Sequence, residues 1–234
     1  MNQNKEFQPT NTPFDFSKYD STYEQKRIKI LEGLIPPGHG KRAIDIGSGP
    51  GFFVKMLKDG DWKVSAIDTD QQNIEKASEY AFEVHQGDAI SVLSGLAEGQ
   101  FDLALALELI EHMPRDMGEN MLKSIFRILK PGGRLLISTP NRHSPEGLAG
   151  AFWKEKIRGK KWDAWDVTHV HIYSSGEILK LLKQIGFSVD SITGYHYEVY
   201  FPKIGSRKLL PLTKSSSFPF NLLGFNIIIG CYKP

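Results

Sequence analysis

Short apolar runs alternate with segments of helical spacing along most of this chain, and that alternation restricts the fold more than any other feature. The runs are "AIDI" from Ala43, "KVSAID", "FEVHQ", "FDLALALELI" and "LLISTP". Between them lie residues with helical periodicity: 19–34, the cluster Phe52, Phe53, Met56 and Leu57, "QQNIEKASEYA", and 115–129. Strand-helix-strand alternation implies parallel strands joined by crossover helices that cover both faces of the sheet. "FDLALALELI" is apolar throughout, as a strand buried on both faces must be. After a helix at 174–185, "FSVDSI" and "GFNIIIGCYK" have no helix between them, so they can pair antiparallel. The expected fold is α/β: a doubly wound seven-stranded sheet, mainly parallel with a reversed last strand, and helices on both faces. Two capping boxes are expected to start helices, Asp116 with Glu119 and Ser174 with Glu177.

Residues 1–18 read as a flexible N-terminal segment and 19–234 as a single domain. Two stretches interrupt the rhythm, a lid-like insertion at 142–173 and a loop insertion at 195–217. A connection as long as the first is usually functional or disordered. The formal charge of +2 gives no reason to expect nucleic acid as a partner. The single cysteine, Cys231, cannot form an intramolecular disulfide, and the polar, Pro-broken start does not resemble a secretion signal. These features predict a cytoplasmic protein, monomer or homodimer, with at most peripheral membrane contact.

The strand at Ala43 runs into "IGSGPGFF", which places glycines at 47, 49 and 51. In a doubly wound sheet such a turn sits at the carboxyl ends of the strands, where ligands bind. A dinucleotide fingerprint requires Gly-x-Gly-x-x-Gly, but position 52 is Phe. Asp45, inside the strand end, is awkward beside a pyrophosphate and suits an ammonium group. Asp68 ends the second strand, where a carboxylate can accept both hydroxyls of a ribose. Asp88 follows the third and can accept from an exocyclic amine. Each acid alone reads as a solvated loop residue; three at successive strand ends on one rim favour a cationic ligand that lacks phosphate.

"AIDIGSGPG", "VSAIDTD", "QGDA", "FDLALALELIEHMP" and "ILKPGGRLLISTPN" resemble the successive motifs of class I S-adenosylmethionine-dependent methyltransferases, a Rossmann-like family. The resemblance covers about residues 19–193 and the last strand. It is similar in particular to the small-molecule group around the ubiquinone-biosynthesis O-methyltransferase, where a Glu-His pair follows the fourth strand. The resemblance implies S-adenosyl-L-methionine as cofactor. It gives Asp45 the methionine amino group, with Gly47, Ser48 and Gly49 beside the methionyl part. Asp68 would bind the ribose with Thr69 beside the adenine, and Asp88 the adenine amine with Ala89. Leu107 would offer its carbonyl near the sulfonium. By the same analogy, Tyr19, Tyr23 and Arg27 would point inward from the N-terminal helix.

The acceptor is less constrained. The Asn/Asp-Pro-Pro-aromatic motif of adenine and glutamine N-methylation is absent where "LELIEH" stands, and Cys231 lies among core residues rather than poised as a nucleophile. A small-molecule oxygen acceptor, polar or apolar, is expected, with carbon or nitrogen acceptors and a non-methylating nucleoside-binding module as alternatives. An oxygen acceptor benefits from a general base. The candidates are Glu111, His112, His169 and His171. Spaced two apart, His169 and His171 would share one side of an extended segment, where they can serve as a base, as a metal pair with Asp166, or as structural histidines. The expected site contains no metal. The insertion mixes Phe152, Trp153, Ile157, Trp162 and Trp165 with lysines, the composition either of a lid that contacts an apolar substrate or a lipid surface or of a solvated loop whose aromatics pack on the sheet edge.

Overall fold

A computed structural model describes residues 22–164, 166–201, 205–208 and 214–234. The expected flexible segment 1–18, Tyr19, Trp165 and part of the 195–217 insertion lie outside the described residues, as does the side chain of Tyr23.

The elements follow the alternation: α1 (Thr22–Leu34), β1 (Arg42–Ile46), α2 (Phe52–Asp59), β2 (Lys63–Asp68), α3 (Gln71–Ala77) and β3 (Glu83–Gln86). Next come α4 (Ala89–Gly95), β4 (Phe101–Leu107), α5 (Arg115–Ile128), β5 (Leu129–Pro140), α6 (Pro145–Ala151) and α7 (Ser175–Ile185). The chain closes with β6 (Ser188–Tyr195), β7 (Glu198–Phe201), β8 (Gly205–Lys208), β9 (Lys214–Ser215) and β10 (Asn226–Tyr232). The sheet order is β3-β2-β1-β4-β5-β10-β6-β9, with β10 antiparallel to both β5 and β6. The reversed last strand is therefore internal. The eighth strand, unforeseen in the sequence, is the two-residue β9 at the edge; β7 and β8 form a separate hairpin.

Strand side chains alternate between two cores. Ile44, Ile46, Ala104, Ala106, Leu135, Ile137, Ile227 and Ile229 face α4, α5 and α7. Ala43, Leu103, Leu105, Leu107, Leu136 and Ile228 face α1, α2 and α3. Burial on both faces explains why these strands read as continuous apolar runs. Cys231 belongs to the first core, and burial pushes its thiol up to about 12.

Helix starts correct two expectations. The chain enters α5 through Pro114 without a side-chain cap; Glu119 pairs with Lys123 at 2.7 Å, so Asp116 and Glu119 form no capping box. Met117, assigned to the inner face of that helix, is 40% exposed. At α7, Ser174 Oγ does accept from the Glu177 amide at 3.2 Å, but the Glu177 carboxylate turns to Arg115 and His171 instead of closing the box.

The insertion is largely structured. Ser144 Oγ caps α6 by accepting from Gly147 N at 2.9 Å, and a π-helical turn follows at Phe152–Ile157. Trp162 is fully buried and packs with Ala164, Ile172 and Phe225. Arg142 and Glu155 make a two-pronged ion pair at 2.8 and 3.1 Å. Among the described residues, no helix is long and apolar enough to cross a membrane.

Candidate active site

Beyond the carboxyl ends of β1 and β4 lies a cavity of about 480 Å³. One wall is the glycine turn. Gly47 and Ser48 amides both donate to Ile67 O at 2.9 Å, and Gly49 N donates to Asp68 Oδ2 at 2.8 Å, which hooks the turn onto the end of β2. Gly49 has φ 53°, and a Cβ there would meet nothing within 4 Å: its backbone faces open space. Gly51 is required for a different reason. Its φ is 91° and a Cβ would lie 2.8 Å from Ala77 Cα, so only glycine lets α2 approach α3 this closely.

Asp45 is buried, and its Oδ2 has no hydrogen-bond partner. Burial raises its carboxyl to about 7; Arg27 opposes the rise and Asp68 adds to it. Arg27 reaches the cavity from α1, ion-paired with Glu24 at 2.6 Å and lying 5.2 Å over the Phe53 ring. Ser48 and Leu107 also line the space. Asp68, Thr69, Asp88 and Ala89 lie outside its lining. Asp68 Oδ1 accepts from Asp70 N at 2.9 Å and Asn73 Nδ2 at 3.2 Å. Asp88 is exposed and caps α4, where bonds from Ser91 hold its carboxyl below the usual range; Ala89 is the first residue of that helix.

The opposite wall begins at Glu108, a residue not singled out in the sequence. It has φ 50°, unusual for a side chain of its size. Ser138 Oγ donates to Glu108 Oε1 at 2.7 Å and Asn226 Nδ2 to Oε2 at 3.1 Å, which fixes the carboxylate from β5 and β10. The signal for it was its place, the first residue after an apolar parallel strand. Glu111 sits behind, fully buried, with Oε2 accepting from Thr139 Oγ1 at 3.0 Å and Oε1 unpartnered. Burial, reinforced by the neighbouring Glu108 charge, raises its carboxyl well above the usual range.

His112, Asp166 and His169 line the cavity together. The histidine rings meet edge-on at 4.8 Å. His169 Nδ1 lies 2.8 Å from Asp163 O, which can only accept, so Nδ1 carries the proton. Thr168 Oγ1 gives its single proton to Asp166 Oδ1 at 2.6 Å, so it accepts from His112 Nδ1 at 3.1 Å. In the tautomer these bonds select, each ring keeps Nε2 as the free lone pair. The same Thr168 bonds hold the Asp166 carboxyl low. His171 does not join them. Asp166 also accepts from Thr168 N at 2.8 Å, which turns the chain, and His171 Nε2 faces Glu177 at 3.3 Å. The shared face expected for His169 and His171 needs an extended segment, and this one is bent. Among the described residues, the donor set that could grip a metal is Glu111, His112 and His169, whose ligand atoms lie within 4.8 Å of one another; the pairing of Asp166 with His169 and His171 is not formed.

Compared with known proteins, residues 19–192 match a family described as a methyltransferase domain. The chain belongs to that methyltransferase-domain family. A ubiquinone biosynthesis O-methyltransferase of Idiomarina loihiensis is 30% identical over 138 residues, 57% of this chain and 56% of the relative. The match thus spans little more than half of that relative's length. An S-adenosylmethionine-dependent methyltransferase of Archaeoglobus fulgidus superposes with a TM-score of 0.65 at 19% identity, over 93% of this chain and 97% of the other. The [4+2]-cyclase SpnF superposes at 0.61 and 17% identity, over 92% and 83%. The family's cofactor is S-adenosylmethionine, and the residues present fit it. A buried carboxylate oxygen without a partner is what an ammonium group would complete, and the bare backbone at Gly49 admits close approach.

Proposed function

We propose that the protein transfers the methyl group of S-adenosylmethionine to an oxygen of a small-molecule acceptor. The observation that carries this reading is one cavity lined by both the unpartnered carboxylate of Asp45 and the histidines His112 and His169. Bound there, the cofactor supplies a methyl carbon activated by the positive charge on its sulfur. The residues proposed to hold it are Asp45 for the amino group, Gly47, Ser48 and Gly49 alongside, Asp68 and Thr69 at the ribose, Asp88 and Ala89 at the base, and the Leu107 carbonyl near the sulfur. The remaining task is to align the acceptor and exclude water. His112 or His169 takes the acceptor's proton on its free Nε2, while Asp166, linked to His112 through Thr168, faces the charge that forms.

A second reading is supported by the cluster itself: Glu111, His112 and His169 would hold a divalent cation that binds the acceptor oxygen. One assay separates the two. Radiolabelled methyl transfer is measured across phenols, amines and carbon acids, with and without a chelator. Transfer to phenols that survives chelation and is lost in His112→Gln or in His169→Gln supports the base and says which ring it is; loss on chelation, restored by added metal, supports the cation. Transfer to amines or carbon acids alone would overturn oxygen as the acceptor, and no transfer in any arm would favour a non-methylating role on this fold.

An apolar acceptor, and with it peripheral membrane contact, is supported by Leu148, Phe152 and Ile157, which are 57%, 63% and 62% exposed on the insertion. Lys156 and Lys160 are exposed on the insertion, whereas Lys154 is tied to Asp163 and Lys161 to Val170 O. Binding to anionic liposomes that is unchanged after Lys154, Lys156, Lys160 and Lys161 all become Gln would overturn the lipid contact.

A further inference from the structure

Asn141 follows β5 and takes no part in the chemistry above, yet every hydrogen-bonding group it owns is occupied. Its Nδ2 donates to Leu222 O at 2.8 Å and Gly224 O at 3.1 Å. Its Oδ1 accepts from His143 N at 3.1 Å and Ser175 N at 3.0 Å. The backbone N donates to Phe225 O at 2.7 Å, and the backbone O accepts from Ser144 N at 3.1 Å. A primary amide offers two donors and two acceptor lone pairs, so the side chain has no capacity left. It is also fully buried.

These bonds join four segments: the end of β5, the start of α6, the first turn of α7 and the loop that enters β10. Beside them, Arg142 N donates to Tyr173 O at 2.9 Å, so the insertion leaves and returns at one point. The Asn141 bonds close that neck. They also fix the far wall of the cavity. Pro140, immediately before Asn141, lines it, and so does Phe225, whose carbonyl Asn141 holds. Phe225 in turn meets Trp162, the buried anchor of the insertion, at 6.3 Å between ring centroids. None of these bonds reaches Asp45, the glycine turn or Asp68.

We propose that Asn141 is a positioning residue for the acceptor wall: it clasps the neck of the insertion and Phe225 to the end of β5, leaving the cofactor wall independent. This rests on the methyl-transfer reading for the meaning of the two walls. In Asn141→Asp the shape is kept, but an oxygen replaces the nitrogen that faces two carbonyls, so the clasp is repelled. Asn141→Ala removes the four side-chain bonds and leaves the two backbone ones.

The test needs no methyl acceptor. Spin labels are placed at Phe152→Cys on the insertion and Lys58→Cys on α2, both exposed; buried Cys231 stays unlabelled. Distance distributions between the labels are recorded with S-adenosylhomocysteine present, and its affinity is measured by calorimetry. The expected result for both variants is a broadened distribution with nucleoside affinity within about twofold of the parent, because independent sites do not couple. Amide exchange should quicken at His143 and Ser175 in Asn141→Ala, which loses their acceptor, and stay unchanged in β1, β2 and β4. An unchanged distribution would overturn the proposal, and so would loss of nucleoside binding with exchange quickened throughout, since Asn141 would then support the whole fold. If the methyl-transfer reading fails, it fails in the acceptor assay with the parent protein, while these readouts stand apart from it.

Discussion

At the scale of single residues, Asp45 carries the sharpest consequence. Its carboxyl is raised to about 7 by burial, so without ligand it is largely protonated in mildly acid solution. Only the ionised form attracts an ammonium group. S-adenosylhomocysteine should therefore bind more weakly below neutrality, by about tenfold for each pH unit under the raised value. It should also release a proton on binding, seen as a buffer-dependent heat in calorimetry. Asp45→Asn should abolish both the pH dependence and the proton release. Glu111, raised in the same way, gives a stability test with the opposite pH sense. Its folded value lies well above the ordinary 4.5, so it favours the protonated carboxyl. Stability from it is fully present below the unfolded value and is lost as pH rises toward the folded one. Glu111→Gln, neutral and similar in shape, should raise the melting temperature at pH 8 more than at pH 5, with chelator present in both. The strand-end acids Asp45 and Asp68 were legible in the sequence because position at a strand's carboxyl end already implies the rim. Glu108 was not, because its backbone conformation and its locks on Ser138 and Asn226 come from residues 30 and 118 positions away.

At the scale of elements, strands were legible and helix starts only partly. Two stretches looked alike as capping boxes, but only Ser174 caps its helix. A hydroxyl at the N-cap can reach the third amide; at α5 the chain arrives through Pro114, and Asp116 already lies inside the first turn. Ser174→Ala should cost about 1 kcal/mol in denaturant unfolding, while Asp116→Ala should cost far less. Helix α4 went unnoticed because it has seven residues and one buried side chain, Leu93, too little for a periodicity. Its signal was Asp88, which could be read as a helix cap as readily as a ligand. The insertion was legible as an interruption but not as a structure. Nothing in its composition distinguishes Trp162, wholly buried, from Phe152, which is 63% exposed. The bend at Asp166 that parts His169 from His171 was in principle readable, since Asp-x-Thr is a turn former.

At the scale of the whole molecule, helices on both faces and a mainly parallel sheet with a reversed β10 follow from patterning alone, because a two-sided core demands uninterrupted apolar strands; the short β9 is reversed as well. What patterning does not contain is the neighbourhood of β9 and the β7–β8 hairpin, short edge elements held by tertiary context. The separation of the cavity into two walls is likewise a property of the assembled sheet: β1 and β2 build one, β4, β5 and the approach to β10 the other. Substituting an acid at Ile228, 0% exposed in the middle of β10, should unfold the chain and not merely loosen its edge, as seen in loss of cooperative melting.

The internal place of β10 also bears on synthesis. Strands β1 to β5 can pair as they leave the ribosome, in sheet order around β1. Strand β6 cannot join them, because the gap beside β5 belongs to residues 226–232, which are translated after β6. Until those residues emerge, β5 and β6 expose open, apolar edges of the kind that chaperones guard. A ribosome stalled before residue 226 should therefore hold a nascent chain that is bound by chaperone and readily cut by protease beyond β5. Emergence of β10 should end both.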